Sequence, residues 1–315
     1  MSSHNYRTVD VDVEGGKLRV AVWEPLDSEE LARAPLGGDS RVSDVVLIHG
    51  VTASHLAWPF VVDLLPGVRV IAPDLRGRGA SNSLIGDAGM KAHANDLKAT
   101  LDALHVEQAL VVGHSMGGFV AVTFAHLHPE RVSRLVLVDG GLPLDVPAGM
   151  DADEMVAAIL GPTAARLSMR FASTGEYLDF WRQHPAFADS WTPELEAYLA
   201  YDLVAAGDGS LRPATSYETT ADDTVDMNTG KALSEAIVQL AHPTRLLTVP
   251  LGLQNEPPGL YAPEHLARVL QELPAVDHER LTEFNHYTIV MSPSGAARVA
   301  AVVQQELSMQ VDTAH

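Results

Sequence analysis

The stretch Val111-Val112-Gly113-His114-Ser115-Met116-Gly117-Gly118 reads as a buried strand that turns sharply through glycines into an apolar, Ala/Val-rich helix. A serine at the apex of such a strand-turn-helix has the spacing of a nucleophile elbow, G-x-S-x-G, whose tight turn lifts the side-chain oxygen clear of the sheet. Gly113 and Gly117 are then required to be small, because any side chain there would collide with the strand or helix beside the turn. The glycines report geometry, and Ser115 reports chemistry.

Around this stretch, strand and helix signals alternate. Residues 6–13 and 17–24 show β-type alternation across Glu14-Gly15-Gly16, an opening antiparallel hairpin. A polar loop over about 25–43, without periodicity, reads as exposed and mobile. Short apolar runs at 44–48, 68–72, 109–112, 135–138 and 244–249, with another strand near 279–284, fit strands of a parallel sheet buried on both faces. Helical spacing over 55–65, 89–104, 231–240, 263–272 and 294–307 supplies the covering layers. A doubly wound sheet of this kind carries its functional loops at the strands' carboxyl ends.

Between about 143 and 228 strand-like runs vanish. Helical segments at 151–160, 163–171, 175–184 and 193–206 carry Met155, Ile159, Leu167, Met169, Phe171, Tyr177, Phe180, Trp181, Trp191 and Tyr198. This predicts two units: a core of residues 1–142 and 229–315, and a helical cap of residues 143–228 inserted after the sixth strand. Most of the cap's apolar residues are expected to hold its own helices together.

Composition narrows the function. At 315 residues and 46% hydrophobic, the chain can bury a large core. A formal charge of −20 argues against nucleic acid and anionic membranes, which need clustered Lys and Arg, and disfavours a strongly anionic substrate. The absence of cysteine excludes disulfides, a thiolate nucleophile and Cys-ligated metals. No spanning apolar stretch or signal-type N-terminus is visible, so a cytoplasmic protein is expected.

A serine nucleophile needs a base, usually a histidine oriented by a carboxylate. Of fourteen histidines, His286 stands between the last predicted strand and the last helix, at the sheet edge where Ser115 emerges. His49 and His114 sit beside turns and are read as braces. His93, His105, His126 and His128 fall on helices or their ends and are read as surface residues.

On these motifs the chain resembles the α/β-hydrolase fold with a helical cap, over nearly its whole length, with an eight-stranded, mostly parallel sheet. They stand as His49-Gly50-Val51-Thr52 after the third strand, Asp74-Leu75-Arg76-Gly77-Arg78-Gly79 after the fourth, Gly113-His114-Ser115-Met116-Gly117 after the fifth, and Asn285-His286 after the last. The resemblance implies an oxyanion hole made by the amides of Val51 and Met116. It also implies that the Asp74-Arg76 turn braces neighbouring loops. Relatives usually place the triad acid after the seventh strand, where this chain has Gly252-Leu253-Gln254-Asn255. Asparagine cannot hold a negative charge, which leaves Asp139, at the end of the sixth strand, or Glu256; Asp139 is favoured by its place after a buried strand.

The implied function is a serine hydrolase needing no cofactor or metal, acting on a neutral, hydrophobic carboxylic ester or lactone. The sixth-strand acid is also similar to that of fungal hydrolases of resorcylic macrolactones such as zearalenone. Two alternatives stay open: a C–C bond hydrolase of ring-cleavage products, whose anionic substrates want arginines that Arg166, Arg170, Arg182 and Arg212 do not obviously supply, and a ligand receptor on a hydrolase scaffold. A homo-oligomer is left open, and no protein partner is indicated.

Overall fold

In the computed structural model, residues 3–26, 43–84, 88–147 and 149–313 are described. Most of the polar loop expected over 25–43 therefore lies outside the described residues. Ten strands are assigned: β1 (His4–Val13), β2 (Gly16–Pro25), β3 (Asp44–Ile48), β4 (Arg69–Pro73), β5 (Ala109–His114), β6 (Val132–Val138), β7 (Leu203–Ala205), β8 (Leu211–Pro213), β9 (Thr244–Thr248) and β10 (Val276–Arg280). Eight of them form one sheet in the order β1-β2-β4-β3-β5-β6-β9-β10. β1 and β2 run antiparallel to each other and β2 antiparallel to β4, and every later pairing is parallel.

The two-residue period of a strand explains why the central runs are apolar throughout. Val46, Ile48, Val111, Leu135 and Leu137 face one hydrophobic layer, with α1 (Met90–Ala103) and α2 (Met116–Leu127). Val45, Leu47, Val112, Val136 and Val138 face the other, which includes residues of α8 (Pro293–Thr313). Each buried branched side chain contributes about 1.5–3 kcal/mol, so a polar residue anywhere in these runs would be costly.

The segment between β6 and β9 holds α3 (Ala152–Leu160), a 3-10 stretch (Gly161–Ser168), α4 (Thr174–Arg182), α5 (Pro193–Tyr201) and α6 (Tyr217–Thr229), followed by α7 (Lys231–Val238). Several boundaries differ from the sequence reading. The helix expected over 193–206 stops at Tyr201, and β7 and β8 then pair as a short antiparallel hairpin, so the segment is not free of strands. The helix expected at 163–171 is the 3-10 stretch, which ends before Phe171 bridges to Leu211. Over 55–65 there is only a 3-10 turn (His55–Ala57) and one turn of α-helix (Pro59–Val62). α6 was not anticipated. The last strand is β10, starting three residues and ending four residues earlier than expected; its ladder closes where Leu281 N–H donates to the Thr248 carbonyl at 2.8 Å. Among the described residues, no helix is long and apolar enough to cross a membrane.

Candidate active site

Ser115 sits between β5 and α2 with φ 54° and ψ −125°, a backbone conformation that costs of order 1–3 kcal/mol for a non-glycine residue and persists only where its surroundings impose it. Its N–H donates to the Val138 carbonyl at 2.9 Å, and its carbonyl accepts from Gly118 N–H at 2.9 Å. The two glycines are needed for space. A Cβ on Gly113 would lie 2.2 Å from the Gly117 carbonyl oxygen, and one on Gly117 would lie 2.1 Å from that of Ile48.

Asp139 follows β6 on the neighbouring strand, also left-handed at φ 44°. The next residue has to be glycine, because a Cβ on Gly140 would lie 2.1 Å from the Ser115 carbonyl oxygen. The ends of β5 and β6 thus touch. Asp139 Oδ2 lies 2.7 Å from His286 Nδ1, with the two side chains 0% and 3% exposed. Its other oxygen accepts from Val249 N–H at 3.3 Å. The imidazole donating through Nδ1 leaves Nε2 as the basic nitrogen.

Glu256, the other candidate for the acid, and its neighbour Asn255 make their bonds elsewhere. Asn255 Oδ1 accepts from Asn285 Nδ2 at 3.0 Å, and exposed Glu256 accepts from Gln254 N–H at 2.6 Å within its own turn.

His286 is held from both sides of the chain. Its N–H donates to the Leu251 carbonyl at 2.9 Å, and its carbonyl accepts from His114 Nε2 at 2.8 Å. The His114 ring also packs on the His286 ring at 4.7 Å between centroids. Burial first, and then electrostatic interaction with neighbouring His286, press the His114 pKa well below its ordinary value, so it serves as a neutral donor. Asn285 closes the following turn through Oδ1, which accepts from Tyr287 and Thr288 N–H, while its Nδ2 reaches the Ala186 carbonyl in the inserted segment.

His49 braces the loop after β3. Its Nε2 accepts from Leu75 N–H at 2.9 Å, so Nδ1 carries the proton and donates to the Gly50 carbonyl at 2.7 Å. Burial lowers its pKa to about 3, which keeps this tautomer neutral. Because a trans peptide is planar, fixing the Gly50 carbonyl also fixes the opposed Val51 N–H. Among the described residues, neither the Val51 nor the Met116 amide donates to a protein acceptor. Met116 opens α2, where N–H groups are free for an anion.

The Asp74–Arg76 turn binds protein rather than cavity. Asp74 accepts from His55 Nδ1 at 2.7 Å and from Tyr201 O–H at 2.7 Å, and Arg76 forks onto Asp96 at 2.8 and 2.7 Å. His93 is the histidine the sequence misplaced. It is fully buried, with Nε2 3.1 Å from both oxygens of Asp223 on α6, a partner that only tertiary structure supplies.

Ser115 and His286 share one cavity of about 30 Å³. Gly50, Val51, Ala57, Leu253, Tyr287 and Met291 are among its walls, and the inserted segment contributes Tyr198. Of the segment's other aromatics, Phe171, Tyr177, Phe180 and Trp181 pack on one another, with the buried Arg166 guanidinium 5.0 Å from the Trp181 ring. Arg166 is bonded to Tyr177 O–H and paired with Asp202. Among the described residues, no Lys or Arg lines this cavity.

The model of the α/β hydrolase fold family matches residues 45–167. Over 178 residues the chain is 35% identical to the lipase LipV of Mycobacterium tuberculosis, covering 55% of this chain and 62% of that one. It is 34% identical over 143 residues to the 2-hydroxymuconate semialdehyde hydrolase of Pseudomonas sp. (strain CF600), covering 41% of this chain and 50% of that one. The chain spans between 30% and 62% of the length of curated relatives such as these. The crystal structure of E-2-(acetamidomethylene)succinate hydrolase superposes over 96% of this chain and 100% of its own, at 18% identity and a TM-score of 0.74. The protein has the α/β-hydrolase fold.

Proposed function

We propose that the protein is a serine hydrolase of neutral, hydrophobic carboxylic esters or lactones. The observation that supports this most directly is the buried Asp139–His286 contact of 2.7 Å opening onto the same cavity as Ser115. In this reading His286 Nε2 takes the proton of Ser115 Oγ as the oxygen attacks the carbonyl carbon. The Val51 and Met116 amides receive the oxyanion, and the imidazolium, oriented by Asp139, protonates the leaving alkoxide. Water activated by the same histidine then cleaves the acyl-enzyme. With a lactone, the alcohol stays tethered to the acyl group until that second step.

Neutral substrates are favoured by a cavity wall that, among the described residues, carries no Lys or Arg. The C–C hydrolase alternative draws on the muconate-semialdehyde relative, but it would need a cation for an anionic substrate, and Arg166, paired with Asp202 and Tyr177 through Nη1, does not line the cavity. The inserted segment acts here as a cap. Tyr198 places the segment on the wall of the cavity that Ser115 and His286 share, where a bound acyl group would lie beneath it.

Intact mass after treatment with a fluorophosphonate tests the reading. Single labelling of the native chain, abolished in Ser115→Ala and in His286→Ala, is the expected result, and esters and macrolactones would be screened next. A folded native protein that takes up no label would overturn the hydrolase reading in favour of a ligand receptor.

A further inference from the structure

One guanidinium touches both residues whose amides are assigned to the oxyanion. Arg78 is fully buried. Its Nε donates to the Val51 carbonyl at 2.8 Å, its Nη1 donates to the Arg76 carbonyl at 2.9 Å and lies 2.5 Å from Asp223 Oδ2, and its Nη2 lies 3.9 Å from Met116 Sδ. The loop around Val51 is therefore clamped twice. His49 holds the carbonyl of the peptide before Val51, and Arg78 holds the carbonyl of the peptide after it. Two fixed peptide planes fix the dihedrals of the residue between them, and with those the direction of its N–H.

The guanidinium is itself fixed from the far side of the molecule. Asp223 lies on α6, in the part of the chain that returns from the inserted segment to the core, and it also accepts from Gly89 N–H at 2.6 Å and faces His93 Nε2 at 3.1 Å. Arginine suits this place because its rigid fork can serve a carboxylate and a carbonyl at once, which a single ammonium cannot.

We propose that Arg78, anchored by Asp223, is a positioning residue of the oxyanion hole: it aims the Val51 amide, seats Met116, and ties both to the helix on which the inserted segment ends. It touches no substrate. The inference rests on the serine-hydrolase reading above. A plain structural ion pair would support the same contacts, so the test has to separate stability from transition-state stabilisation.

The substitution to make is Arg78→Lys, which keeps a charge for Asp223 and gives up the fork. With p-nitrophenyl butyrate as probe, kcat falls by about 10- to 100-fold while KM changes less than about twofold, a smaller loss than deleting an oxyanion donor outright. Inhibition by a trifluoromethyl ketone, whose adduct carries the oxyanion, weakens by the same factor as kcat/KM. A second variant, Arg78→Met with Asp223→Asn, removes both buried charges together and keeps an amide oxygen to accept from Gly89 N–H and face His93. It is expected to stay folded and to show the same kcat deficit. An unchanged kcat in either folded variant, or a loss confined to KM or to Tm, would overturn the assignment. Failure of the native chain to turn over the probe or to take the fluorophosphonate would instead strike the hydrolase reading itself.

Discussion

Asp139 reaches His286 because β6 ends one residue short of it and Gly140 lets the chain pass against Ser115. The carboxylate is short, buried and already hydrogen-bonded to Val249 N–H, so it holds the imidazole in one tautomer at no cost in side-chain ordering during turnover. Asp139→Asn keeps the shape and removes the charge that orients and stabilises the imidazolium. In ester hydrolysis followed at pH 7, kcat is expected to fall on the order of 10⁴-fold, with the circular dichroism spectrum unchanged. Glu256→Gln, at an exposed turn, should leave kcat within about twofold. The reverse pattern would reassign the acid to Glu256.

The elbow is where packing leaves least freedom, and Gly117 measures it. Gly117→Ala puts a Cβ 2.1 Å from a backbone oxygen that belongs to β3 and cannot rotate away. Strand or helix must shift, at a cost of about 1–3 kcal/mol, and the Val51 loop that follows β3 shifts with them. Gly175→Ala is the matched control: Gly175 is exposed in α4, and its new Cβ would meet only Ser173 Oγ at 3.6 Å, so it should be neutral or stabilising. Thermal unfolding of the two variants separates local clash from loss of backbone freedom. A Gly117→Ala protein as stable and active as the parent would contradict the packing described for the turn. These elements were legible because each announces itself locally: an apolar run, then glycines, then a chemical residue. α6 does not. It carries four threonines and three aspartates, poor helix formers, and is capped by Ser216 and tied to the core where Asp223 and Asp226 accept the Gly89 and Met90 N–H groups. β7 and β8 are three residues each, too short for a period to show. His93 and Arg78 were opaque for the same reason, since their shared partner Asp223 is more than a hundred residues away in sequence.

Holding a site together with buried neutral histidines makes the whole fold sensitive to acid before its carboxylates titrate. His49 has its pKa depressed by burial from the usual 6.5 to about 3. Between those values the unfolded chain binds a proton that the native one refuses, so stability is full above about pH 6.5 and falls as pH drops toward 3, by about 1.4 kcal/mol per pH unit for each such group. His114, also pressed down by burial, adds to the slope in the same direction. The buried carboxylates enter later. Burial alone would raise Asp223, but the Arg78 guanidinium and His93 hold it below the ordinary 3.8, so its contribution is present above that pH and is lost only as pH falls further. Urea unfolding at pH 7, 6, 5 and 4 should therefore show stability declining from about pH 6.5. In His49→Asn, whose amide can still donate to the Gly50 carbonyl but does not titrate, the decline should be shallower by about one proton. Parallel slopes for the two proteins would mean that His49 is not held neutral, and the clamp on the Gly50–Val51 peptide would lose its tautomer.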